Sequence, residues 1–356
     1  MGIDGQIIAS LSINNYRSYH SESFEFNDGV NIIVGPNASG KSNLLEAILM
    51  LCLGNSYRAR DNELITFNKS FSRLEATMSD NTVRIMTLTP KDDTVEKQFK
   101  IHGQTFKRLS INKSLPSVLF EPSHLLVLNG SPSLRRKYLD DLLSQTISGY
   151  SGICRQYQRC LAQRNAILKG RSSPGSLFAW NVRLSELGGR IVEQRLSLLE
   201  AIADRVKTQY RRLSNTGHDV KLEYQSELNT NSYASQLLRK LETTEDEDYR
   251  RGFTYHGPHR DDLIVHINDH PVQQSASRGE CRTIMLVFKV VEAEIIEKSR
   301  EAKPLLLLDD VFSELDGARR QALTEFFQPY QTFITTTDAD IIQHHFANKA
   351  AIISLA

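Results

Sequence analysis

Long apolar runs are missing from this chain: the longest, Ala47 to Leu53, is only seven residues, far below the roughly 18 needed to span a bilayer. The opening residues lack a basic segment followed by an apolar run, so no secretory signal is expected. A membrane role would need a partner. Cysteine is scarce, and Cys52, Cys154, Cys160 and Cys281 form no C-x-x-C pair, which argues against a disulfide scaffold and for a reduced, cytosolic chain. An excess of either charge is missing too. The formal net charge is +1, so attraction to nucleic acid must come from local patches. Repeats and low-complexity segments are absent. What remains is a globular composition, 40% hydrophobic and 24% charged over 356 residues, enough for one large domain or two ordinary ones.

The first 35 residues read as short strands, with Val30 to Val34 a buried-type run after the turn Asn27-Asp28-Gly29. A helix is expected right after Gly40, where Leu44, Leu45, Ile48 and Leu49 fall at helical spacing. Residues 64–111 alternate polar and apolar and read as antiparallel hairpins. Near residue 130 the character changes: Ser131-Pro132 is an N-cap followed by proline at the first helical position. From there to Ser214 the pattern predicts one helical hairpin, turned at Gly170 to Gly175, with two arms of about 40 residues, or about 60 Å each. The acidic stretch Glu242 to Asp248 is expected to be solvated and to mark a boundary. Strand character returns at Leu263 to Ile267, a long helix follows from Arg282 to about Ser299, and Leu305 to Leu308 is typical of a buried parallel strand. The tail alternates helix (Gly317 to Phe327) and strand (Thr332 to Thr336), ending in a β-like run at Ala351 to Leu355.

Gly35-Pro36-Asn37-Ala38-Ser39-Gly40-Lys41-Ser42 fits G-x-x-x-x-G-K-[ST], with a buried strand before it and an amphipathic helix after it. Glycines let backbone N–H groups curl around an anion, and the helix N-terminus adds partial positive charge. Lys41 is expected on the β- and γ-phosphates of ATP, and the Ser42 hydroxyl on Mg²⁺. A chance glycine turn would not have both flanks correct. A phosphate loop alone leaves the class open, since kinases, GTPases and motors all use one.

The Leu305 to Leu308 strand ends in two acids. Asp309 suits a Mg²⁺ ligand facing the phosphate loop, and Asp310 is placed to orient or deprotonate an attacking water. Ser313-Glu314-Leu315-Asp316 resembles the D-loop of ABC ATPases. Ser275 to Glu280, before the long helix, resembles their signature loop, although a Ser-x-Gly in that place is also compatible with a simple N-cap. In that superfamily the loop caps the γ-phosphate held by the opposite subunit, which assigns Ser277 and Gly279 to nucleotide binding in trans.

Three blocks narrow the resemblance to the RecF family: Asn15-Tyr16-Arg17-Ser18, whose arginine approaches the nucleotide in repair-type heads; Gly257 to Leu263; and Ser277 to Thr283 with Leu307 to Asp316. The likeness extends over the whole chain, and the helical insert is short, as in that family. It implies an α/β fold, an ABC-type, SMC-like P-loop ATPase head (residues 1–128 plus 250–356) with an inserted helical lobe (129–249). It further implies an ATP-dependent homodimer on DNA, both duplex and single/double-strand junctions. Weak DNA-stimulated ATPase activity would assist recombinase loading at gaps and stalled forks, with RecR- and RecO-like partners, in a bacterial cytoplasm at the nucleoid. Departures from the pattern are Arg278 and Cys281 in place of glutamines, no Q-loop glutamine, Thr335-Thr336-Thr337 where transporters have a switch histidine, and aspartate rather than glutamate at Asp310. Slow turnover is the expectation. The rivals are the ATPase subunit of a membrane transporter, which needs that glutamine and histidine, and a small-molecule P-loop kinase, which leaves the Ser277 loop without a role.

Between Ser131 and Gly175 eight basic residues face two acids, and from Ser151 onward that segment has no acid. Arg135, Arg136, Arg155, Arg159, Arg164, Lys169 and Arg171 are the candidates for DNA phosphates, with a solvated helix face as the alternative. Tyr150 and Tyr157 are the nearby aromatics, too few to favour base stacking over backbone tracking. His266 and His270 have an H-x₃-H spacing that suits a helix, but they fall on a strand and turn, which disfavours zinc.

Overall fold

The computed structural model describes residues 7–92, 94–170, 177–214, 217–312, 315–337 and 350–355. The chain opens with β1 (Ile8–Tyr16), β2 (Tyr19–Glu25) and β3 (Val30–Val34). Helix α1 (Lys41–Leu53) runs between Gly40 and Gly54, whose φ values of 101° and 80° are left-handed positions that glycine takes without steric cost. Ten of its 13 residues are buried, as expected for a helix apolar nearly all round. Strands β4 (Ser72–Met78), β5 (Val83–Lys91), β6 (Thr94–Ile101) and β7 (Gln104–Phe106) follow as hairpins, then β8 (Ser117–Phe120). Next come α2 (Leu126–Asn129), α3 (Pro132–Thr146), α4 (Tyr150–Gly170), α5 (Phe178–Ser214), β9 (Val220–Gln225), α6 (Tyr233–Thr243), α7 (Glu245–Arg251), β10 (Asp262–Ile267), β11 (His270–Pro271) and α8 (Val272–Ser275). The last elements are α9 (Arg278–Arg300), β12 (Leu305–Asp309), α10 (Gly317–Phe327), β13 (Thr332–Thr336) and β14 (Ala351–Ser354).

By packing, the chain divides into two compact units: Met1–Pro122 with Glu292–Ala356, and Ser123–Val291. The first holds two sheets. An antiparallel sheet has the order β2-β1-β4-β5-β6-β7, and a wholly parallel one has the order β14-β3-β13-β12-β8. Side chains of α1 share one core with both: Leu44, Leu45 and Ile48 cluster with Leu11 and Ile13 of β1, Leu74 of β4, and Leu305, Leu307 and Phe333. Each such residue, fully buried, contributes about 1.5–3 kcal/mol, so the helix that follows the phosphate loop is anchored along its length.

The second unit packs α4 and α6 on α5, beside the antiparallel sheet β11-β10-β9. The first expected arm is two helices rather than one. The chain turns at Ile147–Gly149, where Gly149 has φ 83° and open space around it. The acidic stretch is helical rather than a linker: it closes α6 and forms α7, Glu242 and Asp246 are exposed, and Asp248 is fully buried in an ion pair with Arg164. His266 pairs across the β10–β11 turn and meets Glu223 at 3.0 Å, and no metal cluster occurs among the described residues.

Candidate functional site

In-register parallel pairing brings four strand ends of the first unit to one edge. Val34 of β3 lies beside Thr336, Thr335 beside Asp309, and Leu308 beside Phe120. The carboxyl edge of a parallel sheet is where such folds bind ligands, and the phosphate loop leaves β3 there. Gly35 N–H donates to the Thr336 carbonyl at 3.4 Å, and Ser39 N–H to the Pro36 carbonyl at 3.3 Å. A Cβ on Gly35 would come within 2.6 Å of Ser39 Oγ and 2.7 Å of the Leu355 carbonyl, so only glycine fits. Ala38 holds a left-handed φ of 68°. Tyr19, missed by the sequence reading, braces the loop by donating its hydroxyl to the Gly40 carbonyl at 3.1 Å. The Lys41 ammonium folds back onto the Gly35 and Pro36 carbonyls, 2.7 Å from each. Ser39 Oγ is buried without a hydrogen-bond partner. Among the described residues the cradle thus carries a cation held by backbone carbonyls alone and an unsatisfied hydroxyl, both suited to an anion.

Across the edge, Ser42 Oγ donates to Asp309 Oδ1 at 2.7 Å, which places a hydroxyl and a carboxylate together as hard oxygen donors of the kind Mg²⁺ takes. The carboxylate is fixed on both oxygens: Thr335 Oγ1 reaches Oδ1 at 2.9 Å and Tyr57 donates to Oδ2 at 3.0 Å. Burial, and then the Asp309 charge, pushes the Tyr57 phenol well above its usual range, so it stays a donor. The sequence shows Thr335 only as a departure from a switch histidine and does not single out Tyr57, since each needs a sheet register or a loop path to reach Asp309. Asp310 is exposed, has a left-handed φ of 53°, and donates its N–H to Thr335 Oγ1 at 2.9 Å. Non-glycine residues hold such conformations chiefly where the surroundings impose them, often at functional sites.

Arg17 is spoken for. Its guanidinium meets the fully buried Glu46 at 2.9 and 3.0 Å, and Glu46 also takes the Ser56 hydroxyl at 2.5 Å and lies 3.5 Å from Arg58. Burial alone would raise the Glu46 pKa, but the bonds from Arg17 and Ser56 and the charge of Arg58 hold it below its ordinary 4.5. Glu46 thus ties Arg17 to the 56–58 turn that carries Tyr57.

Ser277 and Gly279 belong to the second unit, at the start of α9. Ser277 and Glu280 form a reciprocal capping box: Ser277 N–H donates to Glu280 Oε2 at 2.8 Å, and Glu280 N–H to Ser277 Oγ at 3.2 Å. Ser277 is exposed, and a Cβ built on Gly279 would meet nothing closer than Ser277 Oγ at 4.0 Å. Ser313 and Glu314 lie outside the described residues, while Asp316 N-caps α10.

Two of the basic candidates are corrected by burial. Arg164 has no exposed side-chain surface and bonds Asp248, Asn181 and Thr254 at 2.7–2.8 Å. Arg135 makes a two-pronged pair with Asp262, 2.7 Å on each prong. Neither guanidinium faces solvent, so neither is placed to meet a DNA backbone. Arg155, Arg159 and Lys169 are exposed on α4, Arg136 is half-buried on α3, and Arg171 lies outside the described residues. Tyr150 and Tyr157 are buried and bonded to Asp140 and His259, so they offer no stacking face.

A family model described as RecF/RecN/SMC N terminal domain matches residues 7–354, which defines the class: an ABC-type ATPase head of the SMC-like kind. A solved SMC head bound to the C-winged helix domain of ScpA shares the fold, with a TM-score of 0.55 at 19% identity. Within that class the likeness is sharper. The DNA replication and repair protein RecF of Moorella thermoacetica is 33% identical over 355 residues, covering 98% of this chain and 95% of that one. The protein of the same name from Bacillus cytotoxicus is 33% identical, at 97% and 96% coverage. A solved structure described as the recombination mediator protein RecF-ATPrS in the RecFOR pathway superposes with a TM-score of 0.86 at 30% identity, over 95% of each chain. The chain belongs to the RecF family of DNA replication and repair proteins. No helix among the described residues is long and apolar enough to cross a membrane.

Proposed function

We propose that this protein binds ATP with Mg²⁺ at Gly35 to Ser42 and Asp309, and that bound ATP closes a homodimer on DNA. The observation that carries this reading is the 2.7 Å meeting of Ser42 and Asp309, two motifs 267 residues apart. When bound, Mg²⁺ would be held by Ser42 and Asp309 and would offset the charge that develops on phosphoryl transfer. Lys41, held only by carbonyls, turns from them to the phosphates, and the Ser39 hydroxyl gains a partner. Asp310 orients the attacking water and accepts its proton. Ser277 and Gly279 of a second copy cap the γ-phosphate, a role that the open space at Gly279 supports. Hydrolysis is weak and DNA-stimulated, and it ends the closed state. The cycle assists recombinase loading in the cytoplasm, at the nucleoid, with RecR- and RecO-like partners.

The test is the size of the protein with and without ATP and Mg²⁺, in the presence and absence of duplex DNA. A dimer is expected only with ATP, and it lasts longer on DNA. A protein that stays monomeric at micromolar concentration with both present removes the trans site. Asp310→Asn should keep ATP affinity while cutting hydrolysis by a factor on the order of 10², whereas Asp309→Asn should lose metal-dependent ATP affinity and hydrolysis together.

A further inference from the structure

The second unit holds a cavity of about 300 Å³ framed by α3, α4, α5 and the Pro258-His259 turn, room for several waters at about 30 Å³ each. Its charge is unbalanced. Arg195 is matched by Asp140, at 2.8 and 2.9 Å, and Asp140 takes the Tyr150 hydroxyl as well. Lys137 has Asp141 at 2.5 Å. Among the described residues Arg136 has no carboxylate within hydrogen-bond distance: its guanidinium donates to the Asp261 main-chain carbonyl at 2.7 Å and otherwise lines the cavity. The Asp261 carboxylate is engaged by the hydroxyls of Tyr224, Ser226 and Tyr233, and that of Asp262 by Arg135. His259 brings no charge. Burial pushes its pKa down to about 4, and it sits neutral between the Tyr157 hydroxyl and the Thr254 carbonyl. Burial, and next the Arg195 charge, lowers the Arg136 pKa, offset in part by the nearby Asp262 and Asp261 charges, and a half-buried cation that bonds a carbonyl rather than a carboxylate is stabilised by an added anion.

We propose that this cavity seats a phosphate group, held by Arg136 with Lys137, Ser133 and Gln158 at its rim. The phosphate of a DNA strand is the favoured source. Cys154 and Gln158 of α4 line the cavity, and their chain neighbours Arg155 and Arg159 are exposed beside it on a helix face without acids. The inference rests on the DNA reading above and sharpens it, because it makes one half-buried arginine of α3 the anchor and the two α4 arginines the track. A free phosphate would satisfy the same chemistry, and the test separates the two.

Duplex binding is followed by fluorescence anisotropy across a salt series, for the wild type, Arg136→Gln and Gln158→Glu, with folding checked by circular dichroism. Inorganic pyrophosphate is titrated in parallel and read by ³¹P line broadening; the phosphate loop is common to all three proteins, so differences report this cavity. Arg136→Gln should weaken duplex binding roughly tenfold, as expected for a lost charged hydrogen bond, and reduce the salt slope by about one. Gln158→Glu, which adds a carboxylate at the rim without touching Arg136, should weaken it too. Variants that bind duplex like the wild type but lose pyrophosphate broadening assign the seat to a free phosphate. Variants identical to wild type in both arms overturn the proposal. A wild type that binds no duplex at all sinks the functional reading instead, and the pyrophosphate arm still decides the seat.

Discussion

Tyr57 bonds Asp309, the carboxylate proposed to hold Mg²⁺, and Glu46 takes the hydroxyl of the neighbouring Ser56. Tyr57→Phe removes a donor from Asp309 Oδ2 while keeping the ring. Residues that orient a metal ligand in this way are worth 10–100-fold in metal affinity, so Mg²⁺-dependent ATP affinity should fall about tenfold. Affinity measured in EDTA should not change; a loss in EDTA would mean that the hydroxyl supports the nucleotide site independently of the metal. Glu46→Gln leaves Arg17 and Arg58 without a buried counter-charge and should cost about 3 kcal/mol at pH 7. The folded-state pKa of Glu46 is lowered, so its stabilisation is present above the unfolded value and lost as pH falls through the folded one. Denaturant titrations at descending pH should therefore show the gap between wild type and variant closing on acidification. A gap independent of pH would remove the charge from the explanation.

Helix α4 has two exposed arginines, Arg155 and Arg159, and one fully buried, Arg164. Arg155→Glu with Arg159→Glu should weaken duplex binding on unrelated sequences and flatten the salt dependence by about two. Arg164→Ala should instead destabilise the fold by about 3–5 kcal/mol, because Asp248 is left buried and unpaired, while the DNA affinity of folded protein stays the same. A weakened affinity without loss of stability would return Arg164 to the DNA-binding set. Sequence could not separate these arginines, since the partners of Arg164 and Arg135 lie 84 and 127 residues away, and local pattern carries no record of such pairs. It did expose the elements whose cause is local. Strand, glycine loop and helix at β3–α1 lie where expected, the hairpins of residues 64–111 follow their alternation, and β12 follows from its apolar run. The turn at Gly149 was missed because apolar spacing continues on both sides of it. The expected helix start at Arg282 was late by one turn: Ser277 and Glu280 carry the sequence form of a capping box, and the helix begins at Arg278.

At the scale of the molecule, the proposed cycle needs two copies. Gly279→Arg fills the open space at the start of α9 and should leave ATP affinity intact while the dimer fails to form, as read by light scattering with ATP and Mg²⁺. A dimer of normal lifetime would place the subunit contact elsewhere. The parallel sheet has a further consequence, for how the protein is made. Strand β3, which launches the phosphate loop, is flanked by β13 and β14, and about 300 residues of chain separate it from the first of them. At roughly 5–20 residues per second on the ribosome, that delay is about 15–60 s. Throughout it both edges of β3 are bare and the apolar flank of α1 lacks Leu305, Leu307 and Phe333, a state that invites chaperone binding or pairing with a neighbouring nascent chain. The nucleotide loop is thus among the first parts to be translated and among the last to be finished.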